Sequence, residues 1–150
     1  MIRPARADEG GRLREIAIAA KAHWGYELDR VQEWAAQGDF TAEGLRTKEF
    51  YVAEEGGRAV AFASLIPQGD VCILDDLWVE PEAMGGGVGT ELFRFAAERA
   101  ADLGARSLEW EAEPNAVGFY ERMGGRRLRD SGPSEWGRIL PVMGIDLNAG

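Results

Sequence analysis

Leu74-Asp75-Asp76-Leu77-Trp78-Val79-Glu80-Pro81-Glu82-Ala83-Met84-Gly85-Gly86-Gly87-Val88-Gly89-Thr90-Glu91-Leu92 is the stretch whose reading decides the fold. It reads as a buried strand, a proline-containing turn, a glycine cluster and the first turn of an amphipathic helix. The helix's apolar positions, Val88, Leu92, Phe95, Ala96, Ala100 and Leu103, recur on one face. A helix beginning here leaves its first amide N–H groups without internal partners and carries about half a positive charge at that end. Such an end accepts an anion, most often a phosphate. Glycines at 85, 86, 87 and 89 remove the Cβ atoms that would keep a ligand off the backbone and permit the positive φ angles of a concave N–H nest. The expectation is a pyrophosphate cradle. Gly87-Val88-Gly89-Thr90 has no lysine, so it is not a nucleoside triphosphatase loop. Leu92 stands where a dinucleotide fingerprint wants Gly or Ala, and the motif is mid-chain instead of after a first strand.

Working outward, 150 residues form one expected domain, 1–150, long enough to bury a sizeable core. Hydrophobic residues make up 45% and charged residues 29%, a soluble globular balance. The formal net charge of −9 argues against a nucleic-acid surface, which needs clustered cations, and suits a cationic small molecule better. The one cysteine, Cys72, excludes an intramolecular disulfide, and with the one histidine, His23, it cannot build a structural zinc site; no metal is expected. No apolar run reaches membrane-spanning length and no signal-peptide core precedes Arg6, so no membrane partner and a cytoplasmic location are expected. A homodimer remains open.

Periodicity and turn residues place the other elements. A strand near Met1–Pro4 leads to Asp8 as a helix N-cap, and Leu13, Ile16, Ala17 and Ala20 carry a first helix to about His23. Tyr26–Ala36 reads as a second helix with Leu28, Val31, Trp34 and Ala35 on one side, followed by a helical turn near Thr41–Leu45. Strands over Phe50–Ala53 and Arg58–Ile66 are joined by Glu54-Glu55-Gly56-Gly57; Pro67-Gln68-Gly69-Asp70 turns into the strand Val71–Val79. After the helix at 88–103 come a strand at Ser107–Ala112, a short helix from Pro114-Asn115 to about Met123, and strands near Arg126–Asp130 and Trp136–Leu147. The order βααβββαβαββ is an α/β fold, with a mixed sheet of six or seven strands and helices on both faces.

Met84-Gly85-Gly86-Gly87-Val88-Gly89, following Leu77-Trp78-Val79-x-Pro81, resembles the coenzyme A motif of the GCN5-related N-acetyltransferase (GNAT) superfamily. Met84 replaces the family's usual Gln or Arg, and Gly86 falls where a basic residue is common. Backbone donors survive both changes; cofactor affinity is what they affect. A second motif, Asn115-Ala116-Val117-Gly118-Phe119-Tyr120-Glu121-Arg122-Met123-Gly124, is similar to the family's Asn-x-x-x-x-Phe-Tyr-x-x-x-Gly, with three residues instead of four between Asn115 and Phe119. The element order is also the family's, so the resemblance covers nearly the whole chain.

The resemblance implies an acetyl-CoA-dependent N-acetyltransferase acting by direct transfer to a primary amine of a small molecule or peptide. The alternatives are a non-catalytic acyl-CoA-binding or sensing domain and an acyltransferase with a longer donor. In the family the strands corresponding to Asp75–Val79 and Leu108–Ala112 splay apart around the pantetheine arm. By resemblance, Leu77, Trp78 and Val79 line that arm, the segment Met84, Gly85, Gly86, Gly87, Val88, Gly89, Thr90 holds the pyrophosphate, and Asn115, Phe119 and Tyr120 contact the cofactor. Tyr120 takes the role of acid. An amine with a pKa near 10.4 arrives protonated, so some group must accept a proton. Asp75 and Asp76 are the candidates; being adjacent on a strand they face opposite ways. Leu74-Asp75-Asp76-Leu77-Trp78-Val79 is similar to the strand bearing acceptor-site carboxylates in the family's polyamine and diamine enzymes. His23, Trp24, Tyr26, Asp76 and Trp110 are the candidate acceptor-site residues, and the acceptor itself stays open among polyamine, aminoglycoside, amino acid and protein α-amine.

Overall fold

The structure, a computed structural model, describes residues 1–147; the last three residues of the expected 1–150 domain lie outside this range. In chain order the elements are β1 (Ile2–Pro4), α1 (Gly10–Ala22), α2 (Leu28–Ala36), β2 (Glu49–Glu55), β3 (Arg58–Gln68), β4 (Val71–Val79), α3 (Val88–Asp102), β5 (Ser107–Glu111), α4 (Val117–Arg122), β6 (Arg126–Pro133) and β7 (Ile139–Asp146). This is the expected βααβββαβαββ. The strands form one seven-stranded mixed sheet in the order β1-β2-β3-β4-β5-β7-β6. The β4/β5 pair is parallel, from Val71↔Ser107 to Ile73↔Glu109, and β1/β2, β5/β7 and β6/β7 are antiparallel.

The chain forms two compact units, Met1–Ser64 with Asp76–Phe95, and Leu65–Asp75 with the chain from Ala96 onward. In the first, Leu13, Ile16 and Ala17 of α1 pack on Phe50 and Val52 of β2 and Ala59 and Phe62 of β3, with Trp34, Phe40 and Trp78 against them. Alternation along β2 sends Phe50 and Val52 inward, as a half-buried strand requires. In the second, Cys72, Leu108, Trp110, Ala112, Val142 and Met143 are buried, and Trp110 pairs in register with Met143.

Two partly buried charge clusters tie the first unit together. Arg3 forks onto both oxygens of Glu9 at 2.7 Å each and sends its Nε to Glu54 at 2.6 Å, joining β1, the start of α1 and β2. At the end of β4, Glu80 is buried between Arg12, at 2.5 Å, and Arg58, at 2.7 and 3.1 Å, while Arg12 also donates to the Ala59 carbonyl. The Glu80 amide donates to Val60 O at 2.9 Å. The strand end that feeds the glycine loop is thus pinned by side chain and backbone together.

Several expectations need correction. Asp8 is not the cap of α1. Glu9 holds the N-cap position, and its carboxylate is drawn back to Arg3 and to the Arg6 amide instead of the helix amides. Tyr26 lies before α2, which begins at Leu28, and Leu28 is 53% exposed. The turn near Thr41–Leu45 is the 3-10 turn Gly44–Arg46, and Pro67-Gln68 belongs to β3, leaving Gly69-Asp70 as the turn. Trp136 is not in a strand. β6 runs on to Pro133, so the reversal falls at Ser134–Arg138, where Trp136 adopts φ 55° and the Arg138 guanidinium lies 4.9 Å over its ring.

Burial pushes the Glu80 carboxyl up, but hydrogen bonds and charge from Arg12 and Arg58 outweigh it and hold it below the ordinary carboxylate value; Glu9 is lowered chiefly by Arg3. Carboxyls lowered by folding contribute stability that is complete above the unfolded value of about 4.3 and is lost as pH falls through the folded one. Urea unfolding should show stability declining below about pH 4. Glu80→Gln should cost on the order of 2–3 kcal/mol at pH 7, a loss that shrinks as pH falls and Glu80 takes up a proton. A loss that stays the same from pH 7 to the acid limit of folding would contradict this.

Candidate active site

The glycine loop leaves β4 through the 3-10 turn Pro81–Ala83, closed by Ala83 N–H to Glu80 O at 2.9 Å and Met84 N–H to Pro81 O at 3.2 Å. Gly85 and Gly87 have φ of 85° and 88°, whereas Gly86 between them does not have positive φ. This alternation turns successive N–H groups to one side, the geometry of an anion nest. Among the described residues, no amide from 85 to 90 donates a hydrogen bond; the Glu91 amide, to Gly87 O at 3.0 Å, is the first that does. A Cβ on Gly85 or Gly87 would meet nothing within 4 Å, so the space beside the loop there is open. Val88 is buried and Thr90 half-buried, anchoring the helix behind the loop.

On β4, Leu77, Trp78 and Val79 are half-buried. Asp75 is exposed and Asp76 half-buried, the opposite facing that adjacency requires. Asp76 Oδ2 accepts from Lys48 Nζ at 3.0 Å and Ser64 Oγ at 2.5 Å, and its Oδ1 from Trp78 Nε1 at 3.3 Å. The Trp78 ring meets Trp34 edge-on at 5.2 Å. Lys21 at the end of α1 is fully buried, with its Nζ 4.7 Å from the Trp34 ring centroid, 5.2 Å from Tyr26 and 5.4 Å from Trp78. His23 and Trp24 follow at the surface, their rings 5.0 Å apart, with Trp24 37% exposed.

In the second unit, Tyr120 is buried against Trp110, ring centroids 4.9 Å apart, and Phe119 lies 5.2 Å on. Asn115 is exposed and donates to Glu113 at 2.8 Å; α4 begins behind Ala116 without a side-chain cap, so the Asn115 side chain does not cap the helix. Gly125 donates to Tyr120 O at 2.8 Å, and a Cβ on it would lie 2.8 Å from that oxygen and 3.0 Å from Trp110. The glycine pair closing the motif therefore lets the chain pass directly beneath the tyrosine.

The acetyltransferase (GNAT) family's sequence pattern matches residues 12–125. The chain belongs to the GNAT family. The fold agrees: a GCN5-related N-acetyltransferase described as aminotransferase, class-II, from Rhodopseudomonas palustris superposes with TM-score 0.83 at 26% identity, covering 98% of this chain and 95% of that one. PaiA N-acetyltransferase from Thermoplasma acidophilum, solved with coenzyme A, gives 0.80 at 17% identity, covering 97% and 98%, a likeness of fold. An uncharacterised N-acetyltransferase of Methanocaldococcus jannaschii is 34% identical over 85 residues, half of this chain and 38% of that relative's length.

As a GNAT protein, the chain gathers its predicted residues into distinct groups. Trp110, Phe119 and Tyr120 form one cluster; Tyr26 and Trp78 meet around Lys21; Asp76 is engaged with Trp78, and Asp75 is turned away from it. Sequence reasoning missed Lys48, Ser64 and the Arg12–Glu80–Arg58 cluster, and took Lys21 only as the start of the stretch to Tyr26 that covers the amine site, with no role of its own. Lys21 had a signal: it continues the buried series Leu13, Ala17 at helical spacing, where a lysine is unexpected. Among the described residues, no group of three or more His, Cys, Asp or Glu is placed to hold a metal ion, and no helix is long and apolar enough to cross a membrane.

Gly125→Ala should push the Tyr120 backbone and Trp110 apart and cost about 1–3 kcal/mol. Gly132→Ala, whose added methyl meets nothing within 4 Å, provides the control. Thermal melts followed by near-ultraviolet circular dichroism report both the stability and the Trp110–Tyr120 packing; equal melts for the two variants would contradict the close approach.

Proposed function

We propose that this GNAT protein transfers an acetyl group from acetyl-CoA to a primary amine of a small molecule or peptide, by direct attack in a ternary complex. The observation that carries the proposal is the glycine loop, with alternating φ at Gly85–Gly87, undonated amides through Thr90 and room where a Cβ would stand. This fits the diphosphate of coenzyme A, whose negative charge meets N–H dipoles at a helix start. When bound, acetyl-CoA supplies the acyl thioester. Met84 and Val88 flank the diphosphate-binding amides, and the backbone of Leu77 and Val79 would pair with the amides of the pantetheine arm. The Val79 N–H would also meet the negative charge developing on the carbonyl oxygen.

Asp75 or Asp76 would take the proton that the amine must lose. A carboxylate offers about four acceptor positions, and three on Asp76 are used, leaving one on Oδ1 for a water or the amine. Asp75, exposed, meets water directly. Tyr120 would give a proton to the departing sulfur, with Phe119 packing beside the cofactor and Asn115 binding its arm. His23, Trp24 and Tyr26 are assigned to the acceptor; Trp110, expected with them, is buried against Tyr120 and acts as core.

Met84 and Gly86, lacking the side chains usual at their positions, favour a second reading, a domain that binds acyl-CoA without turnover. Calorimetry and thiol release with a panel of amines separate the two. Binding heat with turnover on at least one amine is expected; heat without turnover on any would favour the sensor, and no heat would end both readings. Gly87→Ala should weaken coenzyme A binding at least about tenfold while lowering stability by only about 1 kcal/mol. Tyr120→Phe should lower kcat about a hundredfold with KM for acetyl-CoA little changed, and an unchanged kcat would remove Tyr120 from the chemistry. One of Asp75→Asn and Asp76→Asn should lower kcat/KM about a hundredfold, and the other should leave it little changed.

A further inference from the structure

An aromatic enclosure beside a carboxylate ordinarily marks a site for an ammonium ligand. This chain has one, built from Tyr26 ahead of α2, Trp34 of α2 and Trp78 of β4, with Asp76 bonded to the Trp78 indole. Its places are already taken. Lys21 Nζ lies within 5.4 Å of all three ring centroids, and Lys21 is fully buried. Lys48 Nζ holds Asp76 at 3.0 Å while sitting 5.1 Å over the Phe50 ring. Lys21 continues the buried face of α1, so its ammonium is delivered to the rings by the helix that packs the core. Lys48 stands one residue before β2, beside Phe50 of the same core.

We infer that the amine acceptor carries no second cation next to its reacting nitrogen, because Lys21 and Lys48 occupy the aromatic and carboxylate groups that would recognise one. The inference rests on the assignment of Tyr26 and Asp76 to the acceptor side. A polycation entering here would find Asp76 Oδ2 held by Lys48 and Ser64, a single position on Oδ1 for its reacting nitrogen, and the ring faces filled by Lys21. Its second charge would then be desolvated against two ammonium groups of like sign. A singly charged amine loses its charge on reaction and meets no such penalty. The net charge of −9 and the polyamine-like Leu74–Val79 strand both point toward a polycation; the pairing of the local carboxylate and the filling of the cage point the other way. Specificity here comes from occupancy by the chain's own cations, a repulsive element built into the site.

The test compares butylamine with spermidine as acceptors, by thiol release from acetyl-CoA. In the unaltered protein kcat/KM for butylamine should exceed that for spermidine about tenfold, the order of one desolvated cation–π contact. In Lys21→Met, which keeps the apolar stem, and in Lys48→Met, the ratio should fall toward about one. A preference for spermidine in the unaltered protein, or an unchanged ratio in both variants, overturns the inference. A second arm needs no turnover. Butylammonium chloride should raise the melting temperature of Lys21→Ala, by entering the vacated cage, and leave the unaltered protein unmoved against a sodium chloride control. No stabilisation of Lys21→Ala overturns the cage. Should no amine be acetylated at all, the transferase reading fails, and the butylammonium arm decides the cage alone.

Discussion

A buried carboxylate at a strand end is tolerable only when cations hold it, and the Glu80 side chain, enclosed by Arg12 and Arg58, is the constraint on which the rest of the first unit depends. Arg12 comes from the helix that fills the core, Arg58 from the neighbouring strand, and Glu80 from the last residue before the loop. Their convergence fixes the direction in which the chain leaves β4. The Pro81–Ala83 turn then sets the three glycines at the start of α3, and the φ alternation at Gly85–Gly87 aims the amides. Unbonded backbone donors are ordinarily a liability in a fold. They are sustainable here because the loop is exposed, and useful because a helix start concentrates positive potential where they point.

The central strand separates two neighbouring carboxylates by their surroundings. Asp76 faces Ser64, Lys48 and the Trp78 indole, and holds side chains from β3, the segment before β2 and its own strand together. Asp75 is exposed, because strand geometry turns consecutive side chains to opposite faces.

The element order was legible because periodicity and glycine punctuation agree along nearly the whole chain. Val71–Val79 was readable to the residue, since apolar β-forming residues on either side of Asp75-Asp76 lie between the Gly69-Asp70 turn and Pro81. The shape of the glycine loop was readable because the positive φ angles at Gly85 and Gly87 favour glycine, so the sequence motif and the backbone geometry coincide. What was not legible depended on contacts distant in sequence. Asp8 looked like a cap because nothing local shows that Arg3 and Arg6 claim Glu9. Trp136 looked like strand because aromatic residues favour strands, whereas the longer β6 moved the reversal onto it. The cation pocket was half visible: its aromatic residues stood out, but that Lys21 and Lys48 fill it follows only from the crossing of α1, α2, β2 and β4.

The cluster of Trp34 and Trp78 around Lys21 also has an optical consequence. Two indoles packed edge to face couple their near-ultraviolet transitions, and the adjacent ammonium shifts the emission of both. The first unit therefore carries an intrinsic chromophore pair whose spectrum records any rearrangement of α1 against α2, so a change at this cluster can be followed without an attached label.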